Sequence, residues 1–435
     1  MTFTPARAES ASTRRRPLGL APHETSSRVN GAVLAEHVGD AAAGWRRRAN
    51  LVDAPHVRLH HLARADERLF AHLAGIRIAG DAGWQAARAA LADGDAGVVS
   101  VLAWMAFVDG EVSRMREALP VLLADPEFTD AGAGALASLA PARLHESLQR
   151  LAESPLAAHR RLALAVHALQ RRDPGALLVR SLSDNDLALR ARALRALGEL
   201  GRRDLLGHAV AALHDVDPTC RASAAGSVFV LSGPGDVASA LDTVLTDAPA
   251  LPAARRRSLL ERAIRASGPS IAREHVRQLA AVETTLRDAV IGAGAHGDPI
   301  VVPWLIERMS DPSLARVAAE AVALITGVDL ELAALKSAGA AEDLPGGERE
   351  DGHLPHPDPA GFTAWWNTHR SRFAAGARYI AGHPVGAPAG CIAVLNEGTQ
   401  RQRRAAAFEL SRLRPGTPLF AVDAFALRQR RELGR

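Results

Sequence analysis

The sequence predicts an all-α protein in which helical repeats stack into a solenoid. Composition is the first observation: Ala, Leu and Arg are abundant, and only 4% of the 435 residues are aromatic. Ala, Leu and Arg favour helices, whereas strands favour β-branched and aromatic residues. The second observation is a phrase that recurs about every 31 residues, and the third is a set of Asp-Pro pairs at predicted helix starts.

The repeated phrase is clearest in Leu182–Gly201, LSDNDLALRARALRALGELG, and in Leu213–Gly233, LHDVDPTCRASAAGSVFVLSG. Both copies are apolar or small at positions i, i+3, i+4 and i+7, which form one face of a helix. Drifted copies begin at Leu91, Leu123, Leu151, Leu245, Met309 and Leu395. A fixed period of this length indicates a solenoid, because one unit cannot bury its apolar face without neighbours.

The polar residues of the phrase have predicted structural roles. Asp186, Asp217 and Asp311 are expected to cap helices, since an Asp side chain accepts hydrogen bonds from the first free N–H groups. Pro after Asp suits the first helical position. Arg190 and Arg221 are expected to pair with an Asp of the adjacent unit, which would fix the stacking register.

The chain divides into five predicted segments. Residues 1–28 form a disordered tail without an apolar signal region, and 29–90 form a helical N-terminal cap. Residues 91–335 form the repeat array. Residues 336–361 form an acidic loop rich in Gly and Pro, and 362–435 form a C-terminal helical segment.

The repeat resembles HEAT repeats, in particular the short variety described in phycobilisome-lyase-like proteins, which implies a right-handed α-solenoid. The flanks carry a more specific resemblance, through APHVRLHHLARADERLFAHLAGIRIAGDAGW, WW…RF…G.RYIAGHPV and GTQRQRRAAAFELSRLRPGTPLF. These stretches are similar to an uncharacterised proteobacterial HEAT-repeat family often encoded near type VI secretion components. The resemblance implies a cytoplasmic adaptor for a spike, tip or effector protein, and it brings no catalytic residue.

The sequence therefore predicts a non-enzymatic scaffold that binds a protein through an extended surface. The candidate partner-binding residues lie in the C-terminal flank: Trp365 and Trp366, which also anchor a helix, and Arg401, Arg403 and Arg404. The sequence leaves the partner and the oligomeric state open.

Two other classes of function remain as alternatives: a nucleic-acid-binding HEAT-like protein, and an enzyme whose residues meet only in the fold. Clusters of arginines support the first, including Arg255–Arg257. However, the net charge is only +4, from 52 basic and 48 acidic residues. No dinucleotide, P-loop or nucleophile-elbow motif supports the second.

No metal, cofactor or catalytic residue is predicted, although the chain contains 17 histidines. The pair His56 and His60 and the loop residues His353, His356 and Asp358 lack the spacing of a tetrahedral site. One usable His-Glu pair, His145-Glu146, does not make a di-iron site. Cys220 is expected to be a core thiol, and Cys391 has no neighbouring base. The longest apolar run, from Val98, is too short to cross a membrane, and a cytoplasmic location is expected.

Overall fold

The computed structural model describes residues 30–247, 251–337, 351, 354–374 and 376–434. Within these ranges the chain forms 22 α-helices and one short antiparallel ribbon, which confirms the all-α prediction. No helix of the described part is both long enough and apolar enough to span a bilayer. The predicted tail, 1–28, lies outside the described residues, as does most of the predicted acidic loop.

The helices are α1 (Gly31–Asp53), α2 (Leu59–Ile78), α3 (Asp81–Ala89), α4 (Ala96–Val108), α5 (Val112–Leu122), α6 (Pro126–Ala137), α7 (Pro141–Ala152), α8 (Ala157–Leu169), α9 (Ala176–Ser181), α10 (Leu187–Leu200), α11 (Leu206–Ala211), α12 (Pro218–Leu231), α13 (Pro234–Asp247), α14 (Ala253–Ala266), α15 (Pro269–Ala280), α16 (Leu286–His296), α17 (Val302–Arg308), α18 (Ala315–Thr326), α19 (Pro359–His369), α20 (Pro388–Glu397), α21 (Gln400–Leu413) and α22 (Ala426–Glu432). The ribbon strands are β1 (Tyr379–Ile380) and β2 (His383–Pro384).

Nine of the described helices form a row in which each helix packs against the next. This inner row comprises α1, α4, α6, α8, α10, α12, α14, α16 and α18. The helices between them in sequence pack alongside, as α5 does on α4 and α17 on α18. The arrangement is repeat-like because every unit buries its apolar face against the units before and after it.

The aspartates of the repeated phrase cap the helices that follow them, as predicted. The Asp186 carboxylate accepts from Leu189 N at 2.8 Å, and the Asp217 carboxylate accepts from Cys220 N at 2.7 Å. Each bond satisfies a backbone donor that would otherwise lack a partner in the first turn. The apolar face that follows, represented by Leu197, is fully buried.

Two Asp-Pro pairs do not begin a helix directly. Asp311 accepts from the Ser313 N–H and hydroxyl, and Asp173 accepts from Gly175 N, within turns that precede α18 and α9. The prediction of a cap at Asp311 is therefore wrong. The reason is local, because an Asp side chain that bonds two residues ahead stabilises a turn as readily as a helix start.

Arginines connect successive units along the row. Arg190 binds Asp215 through two bonds, Nε–Oδ2 of 2.9 Å and Nη2–Oδ1 of 3.0 Å. Arg221 binds Asp247 in the same way, at 2.8 and 2.6 Å. The planar guanidinium matches a carboxylate in this geometry, so each pair fixes one unit on the next.

The C-terminal residues 376–434, here called the closing segment, pack against the inner row. The ends of the row meet beside this segment, because Arg58 Nη2 lies 3.1 Å from Asp329 Oδ2. Gln400 N also donates to Val57 O at 2.6 Å. The closing segment is therefore part of the same core as the repeats rather than a separate module.

The closing segment donates hydrogen bonds to carbonyl groups at the C-terminal ends of inner-row helices. These donors and acceptors are Arg428 to Leu169 O, Leu419 N to Glu199 O, Arg412 to Phe229 O, Arg378 to His296 O, Gln402 to Ala323 O and Arg404 to Val52 O. Carbonyls in the last turn of a helix commonly lack a partner within that helix; of these six, Ala323 O also accepts from Gly327 N at 2.9 Å. The closing segment therefore donates hydrogen bonds to backbone carbonyls at the C-terminal ends of six inner-row helices.

Close backbone approach is achieved by glycines at two of these helix ends. Gly297 and Gly327 have φ values of +82° and +74°. A Cβ at either position would stand 2.5 Å from a carbonyl oxygen of Tyr379 or Ala381. Only glycine both adopts this left-handed conformation without strain and leaves room for the closing segment.

The pairing of Arg221 with Asp247 predicts a coupled loss of stability. We expect Arg221→Ala to lower the free energy of unfolding by about 2 kcal/mol, because it leaves the buried Asp247 carboxylate without a partner. Urea denaturation of Arg221→Ala, Asp247→Ala and the double variant measures the coupling. Additive effects of the two substitutions would contradict it, and the exposed Arg150 provides a control variant, Arg150→Ala.

Candidate functional site

The predicted residues Trp365 and Trp366 lie on α19. Trp365 stacks on His369 with ring centroids 4.5 Å apart, and Trp366 packs beside Phe373 at 5.5 Å. Both indoles are partly buried against the core formed with α17 and α18. Their contacts therefore anchor α19.

The predicted residues Arg401, Arg403 and Arg404 lie in the first turns of α21. Arg403 is fully buried and donates to Leu395 O at 2.8 Å. It also donates to the amide oxygens of Gln400 and Gln429. Burial lowers the Arg403 pKa to about 10.

Arg401 is also buried, and it pairs with two acids of the inner row. Its Nη2 lies 2.9 Å from Glu261 Oε1, and its Nη1 contacts Glu320. Arg404 reaches Val52 O at 2.8 Å and the Asp53 carboxylate. In place of the predicted partner contact, Arg401 and Arg403 hold the closing segment in the fold, because neither guanidinium faces solvent.

A cleft with a volume of about 460 Å³ lies where the two ends of the row meet. Its walls come from residues 55–61, 316–336 and 381–402, together with Leu354 and Pro355. These regions are far apart in the sequence, and most of their cleft residues carry no shared motif. The cleft could therefore not be predicted from the sequence, which indicated only that functional residues lie in the flanks of the repeat array.

The cleft has unlike charges on its walls. Arg58 pairs with Asp329 and donates to Glu397 O at 2.5 Å. Arg316 also lines the cleft, and its Nε lies 3.0 Å from His356 Nε2. Burial raises the pKa of the Glu320 carboxyl, although the charge of Arg401 opposes this effect. Such a surface has charged groups of both signs and apolar side chains such as Leu330, which suits a polypeptide segment.

The candidate metal ligands do not form a metal-binding group. Within the described residues, no three His, Cys, Asp or Glu side chains come together in such an arrangement. His356 contacts Arg316, and Asp358 caps α19, whereas His353 lies outside the described residues.

Both cysteine side chains are buried in the fold. Burial raises the Cys220 pKa to about 12 and raises that of Cys391. A high pKa keeps each group in the unreactive thiol form at neutral pH.

The fold and the cleft define a class: a helical, repeat-like all-α protein with a charged cleft between the ends of its row. Comparison with known proteins does not narrow this class. No protein-family model matches the sequence, and no curated protein shows significant similarity to it.

One buried histidine lies where α16 meets the closing segment. The His296 side chain is buried, and neither ring nitrogen has a hydrogen-bond partner in the described structure. Burial, and then the nearby charge of Arg378, lowers the His296 pKa to about 4. The folded state therefore keeps this imidazole neutral at pH values where an unfolded histidine, with a pKa of about 6.5, binds a proton.

We expect this histidine to destabilise the fold in mild acid. The free energy of unfolding should be highest above about pH 6.5 and fall by about 3 kcal/mol toward pH 4. Between these pH values the imidazole of His296 binds a proton in the unfolded state but not in the folded state. Urea denaturation at several pH values measures the slope. His296→Gln should reduce the slope of the unfolding free energy against pH by the equivalent of about one bound proton. The exposed control His145→Gln should leave this slope unchanged. An unchanged slope in His296→Gln would contradict the assignment.

We expect Arg403→Ala to destabilise the protein by about 3 kcal/mol or more, since it removes a buried side chain and leaves three acceptors without a donor. Arg431→Ala, an exposed position on α22 of the same segment, should change stability by less than about 0.5 kcal/mol. Chemical denaturation measures both. A loss under about 1 kcal/mol for Arg403→Ala would show that Arg403 does not hold the closing segment.

Proposed function

We propose that the chain is a non-enzymatic adaptor, built as a right-handed α-solenoid of HEAT-like repeats, that binds a segment of a partner protein. The cleft between the ends of the row is the observation that supports this function. Its volume of about 460 Å³ admits a few side chains, and its charged groups of both signs offer pairing to a peptide.

The proposed partner is a spike, tip or effector protein of a type VI secretion system. The support for this choice is the resemblance of the flanking sequences, and two of those flanks, around residues 55–61 and 381–402, supply walls of the cleft. The same regions would therefore close the row and bind the partner. The partner would bind at the cleft. The closing segment already covers the side of the inner row on which the helix C-terminal ends lie.

The arginines of the alternative nucleic-acid site are engaged within the fold. Arg255 donates to Ser223 Oγ at 2.8 Å, Arg257 pairs with Glu261, and Arg401 and Arg404 pair with acids. Paired arginines offer less net charge to phosphates. The described surface therefore favours a protein partner over a duplex.

The test measures binding between the purified full-length chain and purified spike or tip proteins. Ala393→Trp should weaken binding by about tenfold or more, because an indole from this wall fills the cleft. Ala142→Trp, on the exposed side of α7, is the matched control and should leave the dissociation constant unchanged. Deleting the closing segment is not a suitable test, because that deletion removes part of the core.

Two results would overturn the proposal. Equal binding by Ala393→Trp and Ala142→Trp would place the partner elsewhere than the cleft. Tight binding of a DNA duplex that weakens steeply with salt, with no binding to the spike or tip proteins, would favour the nucleic-acid alternative.

A further inference from the structure

One wall of the cleft carries two short extended segments that pair with each other. Lys336 lies opposite Pro357 in an isolated antiparallel bridge. The residues on either side of this pair make the hydrogen bonds, from Ser337 N to His356 O at 2.9 Å and from Asp358 N to Leu335 O at 2.8 Å. Lys336 and Pro357 therefore form the kind of antiparallel pair in which the two residues exchange no hydrogen bond.

The backbone N–H and C=O groups of Lys336 consequently point away from Pro357. In an antiparallel ladder, the backbone groups of such a residue face the position of the next strand on the other side. Among the described residues, no group accepts from Lys336 N and none donates to Lys336 O. Lys336 thus presents one donor and one acceptor at an open sheet edge, which is a template for a further strand.

This open edge adjoins the cleft. Lys336 is one of the residues that line the cleft, whereas Pro357 is not. The side of Lys336 that lies away from Pro357 therefore faces the cleft. Leu354 and Pro355, which lead into the second extended segment, line the cleft as well. The ammonium group of Lys336 contacts Glu331, so the side chain is engaged while the backbone is available to a molecule in the cleft.

The turn that precedes Lys336 holds the open edge in place. Ala333 N donates to Asp329 O at 3.0 Å within this turn, and the Asp329 carboxylate pairs with Arg58 from the other end of the row. Ala334 has a φ of +51°, a conformation that the surrounding structure must enforce on a residue with a side chain. The edge is therefore preorganised, which lowers the entropic cost of binding to it.

We propose that the partner segment binds in the cleft as an extended strand that pairs with Lys336. This inference rests on the proposed adaptor function and specifies its mode of binding. One residue of the segment lies opposite Lys336 and exchanges two N–H···O=C bonds with it. Alternate side chains of the segment then enter the cleft beside Leu330. A helical segment does not suit this edge, because its backbone groups are bonded within the helix.

Hydrogen exchange of the full-length protein without a partner tests whether the edge is open. Mass spectrometry with fragmentation to single residues measures the rates. The Lys336 amide should exchange at least about tenfold faster than the Ser337 amide, because only Ser337 N donates to a carbonyl within the protein. Adding a purified spike or tip protein should slow exchange at Lys336. Equal protection of the two amides in the free protein would overturn the proposal, since the edge would already be paired.

Lys336→Pro is the diagnostic variant, and Lys336→Ala is its matched control. Proline removes the N–H that the partner segment needs, yet it breaks no backbone bond of the chain and is tolerated at a strand edge. We expect Lys336→Pro to weaken binding of the spike or tip protein by about tenfold or more. Lys336→Ala keeps the backbone donor and loses an exposed ion pair, so the dissociation constant should change by less than about threefold. Urea denaturation checks that both variants remain folded.

The binding measurements separate this inference from the adaptor function. Equal binding by Lys336→Pro and Lys336→Ala, with strong binding by the wild type, would overturn strand pairing and leave the adaptor function standing. Equal loss of binding in both variants would also overturn it, because the lysine side chain rather than the backbone would then meet the partner. If the wild type binds none of the spike or tip proteins, the adaptor function fails and this inference fails with it.

Discussion

The carbonyl groups at the C-terminal ends of the inner-row helices impose the constraint on which the structure depends. Each such end leaves carbonyls without intrahelical partners and carries a partial negative charge. Because the helices of the row repeat one orientation, these ends lie on the same side. The closing segment crosses that side with arginines such as Arg378 and Arg412, which donate to His296 O and Phe229 O. Backbone satisfaction and favourable helix-dipole interaction therefore hold the row closed.

Closure decides where a partner can bind. In an open array, the inner helix faces present a continuous surface, whereas here the closing segment occupies that side and joins Val57 to Gln400. The cleft where the two ends of the row meet remains accessible beside this closure. It exists because residues 55–61, 316–336 and 381–402, which are far apart in the sequence, come together there.

Local features of the repeat could be predicted from the sequence, whereas the closure could not. The caps at Asp186 and Asp217 depend on residues within one turn, and the register pairs join neighbouring units, so a repeated phrase contains them. Arg404, by contrast, binds Val52 O, about 350 residues earlier. A backbone carbonyl has no sequence signature, and nothing in the arginine cluster of α21 distinguishes burial in the core from display to a partner.

Two arginines, one buried and one half-buried, differ in whether the groups around them explain why an arginine occupies the position. Arg403 is completely enclosed, yet its donors meet a backbone carbonyl and two glutamine amides, so its burial stabilises the closure. Arg262 has a pKa lowered to the same value, about 10, but it is only half-buried over Gly226, and the charge of Glu199 opposes the lowering. A similar pKa therefore arises in two different environments. The acceptors around a guanidinium, rather than its pKa, decide whether it holds two parts of the fold together.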